Sequence, residues 1–146
     1  MNLSPNFALA EFTRSQEATR RQINNKPDQA SIDNLHSLCL EILEPARAAL
    51  GPVTISSGYR CLKLNRSLGS KDNSQHVTGN AADIEVAGKT LREVVDWIHE
   101  HTAYDQVILE FPPDGWVHVS YDPARSRKSR LLAEHENGKT IYRPLV

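Results

Sequence analysis

The chain has 146 residues, a formal net charge of −1, and 39% hydrophobic against 24% charged residues. These values describe a single globular domain, residues 1–146, large enough to bury a core without disulfide staples. They argue against a dedicated nucleic-acid binder, which would show a basic face, and apolar runs of a few residues fall far short of the ~20 needed to span a bilayer.

Residues 9–23 mix apolar side chains with Glu11, Arg14, Glu17, Arg20 and Arg21 and read as one or two short surface helices, broken at Asn24-Asn25-Lys26-Pro27. From Asp28 onward, Ile32, Leu35, Leu38, Cys39, Ile42, Leu43, Ala46 and Leu50 recur at steps that put one apolar stripe on a helix. Pro45 sits inside that stripe and is expected to kink or divide the helix near Leu43, because it lacks an N–H donor. Gly51-Pro52 ends it.

Residues 53–56 (Val-Thr-Ile-Ser) predict a strand, residues 57–60 a turn, residues 62–68 a short helix and residues 69–74 a polar loop. Residues 81–86 predict a second strand with Ala82, Ile84 and Val86 on its core face. Thr90-Leu91-Arg92-Glu93 is a capping box opening a helix that carries Val94, Val95, Trp97 and Ile98. Residues 106–111 and 116–121 read as an antiparallel hairpin joined by Pro112-Pro113-Asp114-Gly115. Beyond Pro123 the chain is basic and weakly patterned, with a short strand expected over residues 140–143.

The chemistry concentrates in Ser74-Gln75-His76-Val77-Thr78-Gly79-Asn80-Ala81-Ala82-Asp83 and, far downstream, in Trp116-Val117-His118-Val119-Ser120. Two histidines and a carboxylate are three ligands of the kind zinc accepts, and three leave a fourth position for water. Strand alternation puts His118 on one face with Trp116 and Ser120, and Val117 and Val119 on the other. Spacing alone also fits a loop histidine, a strand-start aspartate and a half-buried histidine.

The run from Ser74 to Asp83 resembles the Ser-x-His-x-x-Gly-x-Ala-x-Asp pattern of the zinc D-Ala-D-Ala carboxypeptidases of peptidase family M15, and Trp116-Val117-His118 resembles its third-ligand motif. The order of the Ser-Ser-Gly-Tyr-Arg turn (residues 56–60), the Ser-Gln-His segment and the Leu-Glu-Phe to Trp-Val-His-Val-Ser hairpin (residues 109–120) is similar to a short branch of that family found in phage and bacterial genomes. The resemblance spans roughly residues 3–132.

This resemblance implies an α+β fold of the hedgehog and D-Ala-D-Ala-peptidase type: a small, mainly antiparallel sheet with helices on one side and a zinc cleft on the other. It implies Zn²⁺ held by His76, Asp83 and His118, and Arg60 binding a substrate carboxylate, to which a guanidinium is suited. The other reading of Arg60 is a structural arginine paired with a nearby acid. Ser74 is expected either to bond the substrate or to cap its loop, and Tyr59 to lie in the core. Family members place an acidic general base just before the third ligand, often three residues upstream, where this chain has Gly115. That leaves Glu110 and Asp114, and Glu110 is the expected base because a strand end holds a carboxylate more firmly than a proline-rich turn.

The implied activity is hydrolysis of a peptidoglycan peptide bond: D-Ala-D-Ala carboxypeptidase, cross-link endopeptidase or L-Ala-D-Glu endolysin. A zinc-containing module that binds wall peptides without turnover is the alternative, as is a phage structural component. No leader pattern opens the sequence. Synthesis in the cytoplasm is therefore expected, with action on the cell wall after phage-mediated release or delivery, and a monomer is the default expectation. The remaining polar groups take plainer readings: Cys39 a buried thiol, His36 packed beside its helix stripe, His99 and His101 at a helix end, His135 exposed, and Arg125, Arg127, Lys128 and Arg130 a solvated face.

Overall fold

The computed structural model describes residues 1–146. A small ribbon, β1 (Asn2–Ser4) and β2 (Phe7–Ala8), leads into α1 (Leu9–Thr13) and α2 (Gln16–Arg20). The long apolar stripe forms α3 (Gln29–Leu38), a π-helical turn (Cys39–Leu43) and α4 (Glu44–Leu50). The remaining elements are β3 (Val53–Ser57), α5 (Leu62–Ser67), β4 (Ala81–Val86), α6 (Leu91–His101), β5 (Gln106–Glu110), β6 (Trp116–Ser120), β7 (Ser129–Glu136) and β8 (Lys139–Pro144). No helix is long and apolar enough to cross a membrane.

Pro45 acts as expected on the long helix, and the structure shows how. The Glu44 N–H bonds the carbonyl of Cys39, five residues back, so one widened turn absorbs the residue that cannot donate. The helix continues past Pro45 in its first turn, and the apolar stripe from Leu35 to Ala46 stays on one buried face. The predicted capping box is present at α6, with Thr90 Oγ1 accepting from Glu93 N–H and the Glu93 carboxylate accepting from Thr90 N–H.

Six strands form one sheet in the order β3-β4-β6-β5-β7-β8, antiparallel throughout except for the parallel pair β5–β7. The fold is α+β, as expected. Alternation divides the sheet cleanly. Ile55, Ala82, Ile84, Val86, Val107, Leu109, Val117 and Val119 pack with Leu35, Leu38, Ile42, Val94, Val95 and Ile98 in one core. The opposite face carries Asp83, His118, Ile108 and Glu110. The short N-terminal helices are more than a surface layer, since Phe12 is fully buried in the same core.

The C-terminal region departs from the sequence reading. Instead of one short strand, an eight-residue β7 and a six-residue β8 form a hairpin that lengthens the sheet. Its turn is Asn137-Gly138, both with positive φ (52° and 76°), the pair that a tight two-residue hairpin turn favours. That Asn-Gly signal was readable but sits among charged residues without strict alternation. The basic run is also not simply a solvated face. Arg127 makes a forked contact with the buried Asp105 carboxylate (2.8 and 3.1 Å), and Lys128 lies over the Tyr104 ring.

Gly79 fixes the approach of the His76 loop to α3. Its φ is +78°, and a Cβ there would lie 2.4 Å from the carbonyl oxygen of Ser31. Gly79→Ala is therefore expected to lower unfolding free energy by roughly 2–4 kcal/mol, measured by urea denaturation. An effect under about 0.5 kcal/mol would contradict this packing.

Candidate metal centre

The three candidate ligands arrive from three kinds of backbone. His76 sits in a turn held to the segment after β3 by two bonds: Arg60 N–H to the His76 carbonyl (3.1 Å), and His76 Nδ1 to the Gly58 carbonyl (2.7 Å). Because a carbonyl can only accept, Nδ1 carries a proton, and Nε2 is the nitrogen turned towards Asp83. Gly58 is itself pressed against α1, where a Cβ would come within 2.6 Å of Phe12 Cα. Asp83 and His118 are directly paired residues on β4 and β6, both on the face away from the core.

These placements bring His76 Nε2 to 3.3 Å and His118 Nδ1 to 3.1 Å from the same oxygen, Asp83 Oδ1. One ligand atom from each residue lies within 4.8 Å of the others, and the two imidazole rings meet edge to face at 5.1 Å. All three residues are buried (4%, 6% and 9% exposed). Burial alone would raise the Asp83 carboxyl; the two imidazoles outweigh it and hold the group well below the usual carboxylate range. Two imidazoles and a carboxylate, with the second nitrogen of one imidazole committed to a carbonyl, are a donor set suited to zinc.

Glu110 ends β5 in the same cleft. Its Oε2 accepts from the Trp116 indole N–H at 2.7 Å, which fixes the carboxylate at the strand end. Burial, with the Asp83 charge adding, pushes its carboxyl above the usual range; His118, Trp116 and Arg60 pull in the other direction. Asp114 is exposed in the turn and does not line the cleft.

Gly115 is dictated by sterics. A Cβ at that position would lie 1.8 Å from the Glu110 carbonyl oxygen, so the chain closes its hairpin where an acidic side chain has no room.

Arg60 is placed beside an acid, as the structural reading of it expects. Its Nη2 is 3.6 Å from Asp83 Oδ2, and Nε and Nη1 donate to Ser57 Oγ and Asn65 Oδ1, both at 3.2 Å. The guanidinium is thus a fixed neighbour of the acid while still lining the cleft. Ser74 also lines the cleft, and its Oγ accepts from the His76 N–H at 3.3 Å, so it does cap the loop. Tyr59 is a core residue.

The cleft has a volume of about 610 Å³ and includes Gln75, Arg125, Arg127, Leu131 and Tyr142, which sequence reasoning missed. Asp105 organises part of this rim from beneath. Fully buried, it accepts from Gln75 Nε2 (2.8 Å) and from Arg127, tying the loop before His76 to the loop before β7. Cys61 does not line the cleft, and burial pushes the Cys39 thiol up to about 12. The other histidines are engaged elsewhere. His36 meets the Leu3 carbonyl and His101 stacks on Trp97. His135 is exposed but stacks on Phe111. His99 bonds the Tyr104 hydroxyl, and burial with Arg130 and Lys128 disfavours its charged form despite the helix end.

The family model described as peptidase M15 matches residues 5–120, a span that includes His76, Asp83, Glu110 and His118. The chain belongs to the peptidase M15 family. No curated protein matches it at a significant level. The match ends at the close of β6, so β7 and β8 lie beyond it.

Burial would raise the Asp105 carboxyl, but Arg127 and Gln75 outweigh it and bring the group down to about 2. A carboxyl depressed on folding stabilises the native state above its unfolded value of ~3.9 and loses that contribution as pH falls towards the folded value. Acid titrations of stability should therefore show a decline between about pH 4 and pH 2. Asp105→Asn is expected to flatten that decline and to be less stable than wild type at pH 7. Identical pH profiles for the two proteins would refute this coupling.

Proposed function

We propose that this M15 peptidase is a zinc enzyme that hydrolyses a peptide bond in peptidoglycan stem peptides. The observation that carries the reading is the convergence of His76 Nε2, Asp83 Oδ1 and His118 Nδ1 in a cleft that also holds Glu110. When bound there, zinc supplies a Lewis acid for the scissile carbonyl and makes water more acidic.

The chain's own groups account for the remaining work. Glu110, fixed by the Trp116 indole, takes a proton from the attacking water and returns it to the leaving amine nitrogen, so a C–O bond forms as the C–N bond breaks. Its raised affinity for protons suits both halves of that transfer. Arg60 faces the cleft with a guanidinium able to receive a substrate carboxylate, and Ser74 offers a hydroxyl from the loop that carries His76. Gln75, bonded to Asp105, keeps that loop in place.

The alternative of a non-catalytic zinc module drew its support from the absence of an acid at residue 115. The presence of Glu110 in the cleft weighs against that alternative, because it offers a carboxylate from another position.

Purified peptidoglycan digested with zinc-loaded protein, with chelator-treated protein and with Glu110→Ala tests the proposal, products being identified by mass spectrometry. Zinc-dependent products absent from the Glu110→Ala digest are expected, and their masses name the bond. Bound zinc with no products from several wall chemotypes would favour the binding module. Glu110→Ala should keep its zinc and lose about 10²–10⁴-fold in turnover, whereas Asp114→Ala should stay within about twofold. His118→Ala should lose metal and activity together, measured by metal analysis beside the same digest.

A further inference from the structure

The sheet continues beyond Glu110 through two strands outside the family match. Register defines what they present to the cleft. Trp116 pairs with Glu110, Glu110 with Ala133, and Ala133 with Tyr142, so these residues form one row across β6, β5, β7 and β8 on a single face. The neighbouring row runs Asp83, His118, Ile108, Leu131. The face carrying Asp83 and His118 therefore extends as a continuous wall to the edge strand.

Tyr142 is unusual on that wall. It is 55% exposed, yet it lines the cleft, and Burial and the charges of Glu110 and Asp83 all raise its phenol. Between Tyr142 and Glu110 in this row stands only Ala133, a small, fully buried side chain. No group of the chain bonds the Tyr142 hydroxyl. The next residue, Arg143, pairs with Glu134 and Glu136, which holds the strand in register. An exposed phenol with a free donor is an amphipathic contact suited to a peptide: its ring packs on small apolar groups and its O–H donates to a carbonyl.

Strand order sets the direction of the cleft. Arg60 lies beside Asp83 of β4, Glu110 is two strands along, and Tyr142 is two strands further. Four inter-strand spacings make about 19 Å, the length of an extended peptide of roughly 5–6 residues. We propose that Tyr142 is a substrate-binding residue, its hydroxyl donating to a backbone carbonyl of a peptide that lies across the strands with its carboxylate end at Arg60. The β7–β8 hairpin then acts as a length gauge, favouring peptides long enough to reach it. This inference rests on the peptidase reading above.

Peptide binding to the zinc-loaded Glu110→Gln protein, measured by calorimetry, provides the test. The probes are a stem pentapeptide ending in D-Ala-D-Ala and its C-terminal tripeptide. Adding Tyr142→Ala should weaken the pentapeptide about tenfold and the tripeptide less than about twofold, with Tyr142→Phe between for the pentapeptide. Equal weakening of both peptides, or none, overturns the gauge while leaving the peptidase reading intact. If neither peptide binds and wild-type protein releases no product from peptidoglycan, both proposals fall. Thermal midpoints of the variants within about 2 °C of the parent are expected, since the side chain is exposed at a sheet edge.

Discussion

A carboxylate buried on a sheet face must be compensated, and Asp83 shows how much of this molecule answers that need. One of its oxygens faces two imidazoles and the other a guanidinium. Each partner is held by a different part of the chain: His118 by a strand pairing, His76 by the Gly58 carbonyl, Arg60 by Ser57 and Asn65. An uncompensated charge at this depth would cost several kcal/mol, so the elements supplying those partners are coupled to the same centre. That coupling reaches α1, because Phe12 packs against Gly58 and Gly58 orients His76.

The sheet makes this arrangement possible by separating two incompatible environments along single strands. In β6, Val117 and Val119 enter the core while His118 faces the cleft; in β4, Ala82 and Ile84 do the same around Asp83. A one-residue slip between β4 and β6 would bury the charges in the core and expose the valines, so the apolar face enforces the register that aligns Asp83 with His118. Hydrophobic packing on one side thereby sets the Asp83–His118 geometry on the other. The parallel β5–β7 pair adds the outer wall without disturbing that register, since it joins at the far side of β5.

Much of this was legible in the sequence because the signals were local. Period-two alternation in residues 81–86 and 116–120, the Thr90–Glu93 capping box and the stripe from Ile32 to Leu50 each specify their own element. The candidate ligands were legible for a different reason, the resemblance of two short motifs to a known family, and their convergence is a tertiary fact that spacing alone could not decide. What escaped notice was the C-terminal hairpin. Leu131, Leu132 and Ala133 are a short apolar run among charges, and β7 finds its partner β5 across an intervening strand and turn. Nothing local announces a parallel pairing. Arg127 was misread for a similar cause: its acid, Asp105, is 22 residues away and hidden at the end of a connecting turn.

The same distinction explains why the position of the acid was harder to assign than the positions of the ligands. A carboxylate three residues before the third histidine requires a hairpin turn with room for its side chain. Here the chain folds so tightly between β5 and β6 that the Glu110 carbonyl occupies the space a Cβ would take at residue 115. The turn that excludes an acid at Gly115 is also what brings the end of β5 beside the start of β6, where Glu110 pairs with Trp116 and its carboxylate receives the indole N–H. The lack of room for an acid at residue 115 and the support of Glu110 are thus two effects of one backbone path. The glycine that leaves no room for a carboxylate at residue 115 is the geometric condition for the carboxylate that Trp116 holds at residue 110.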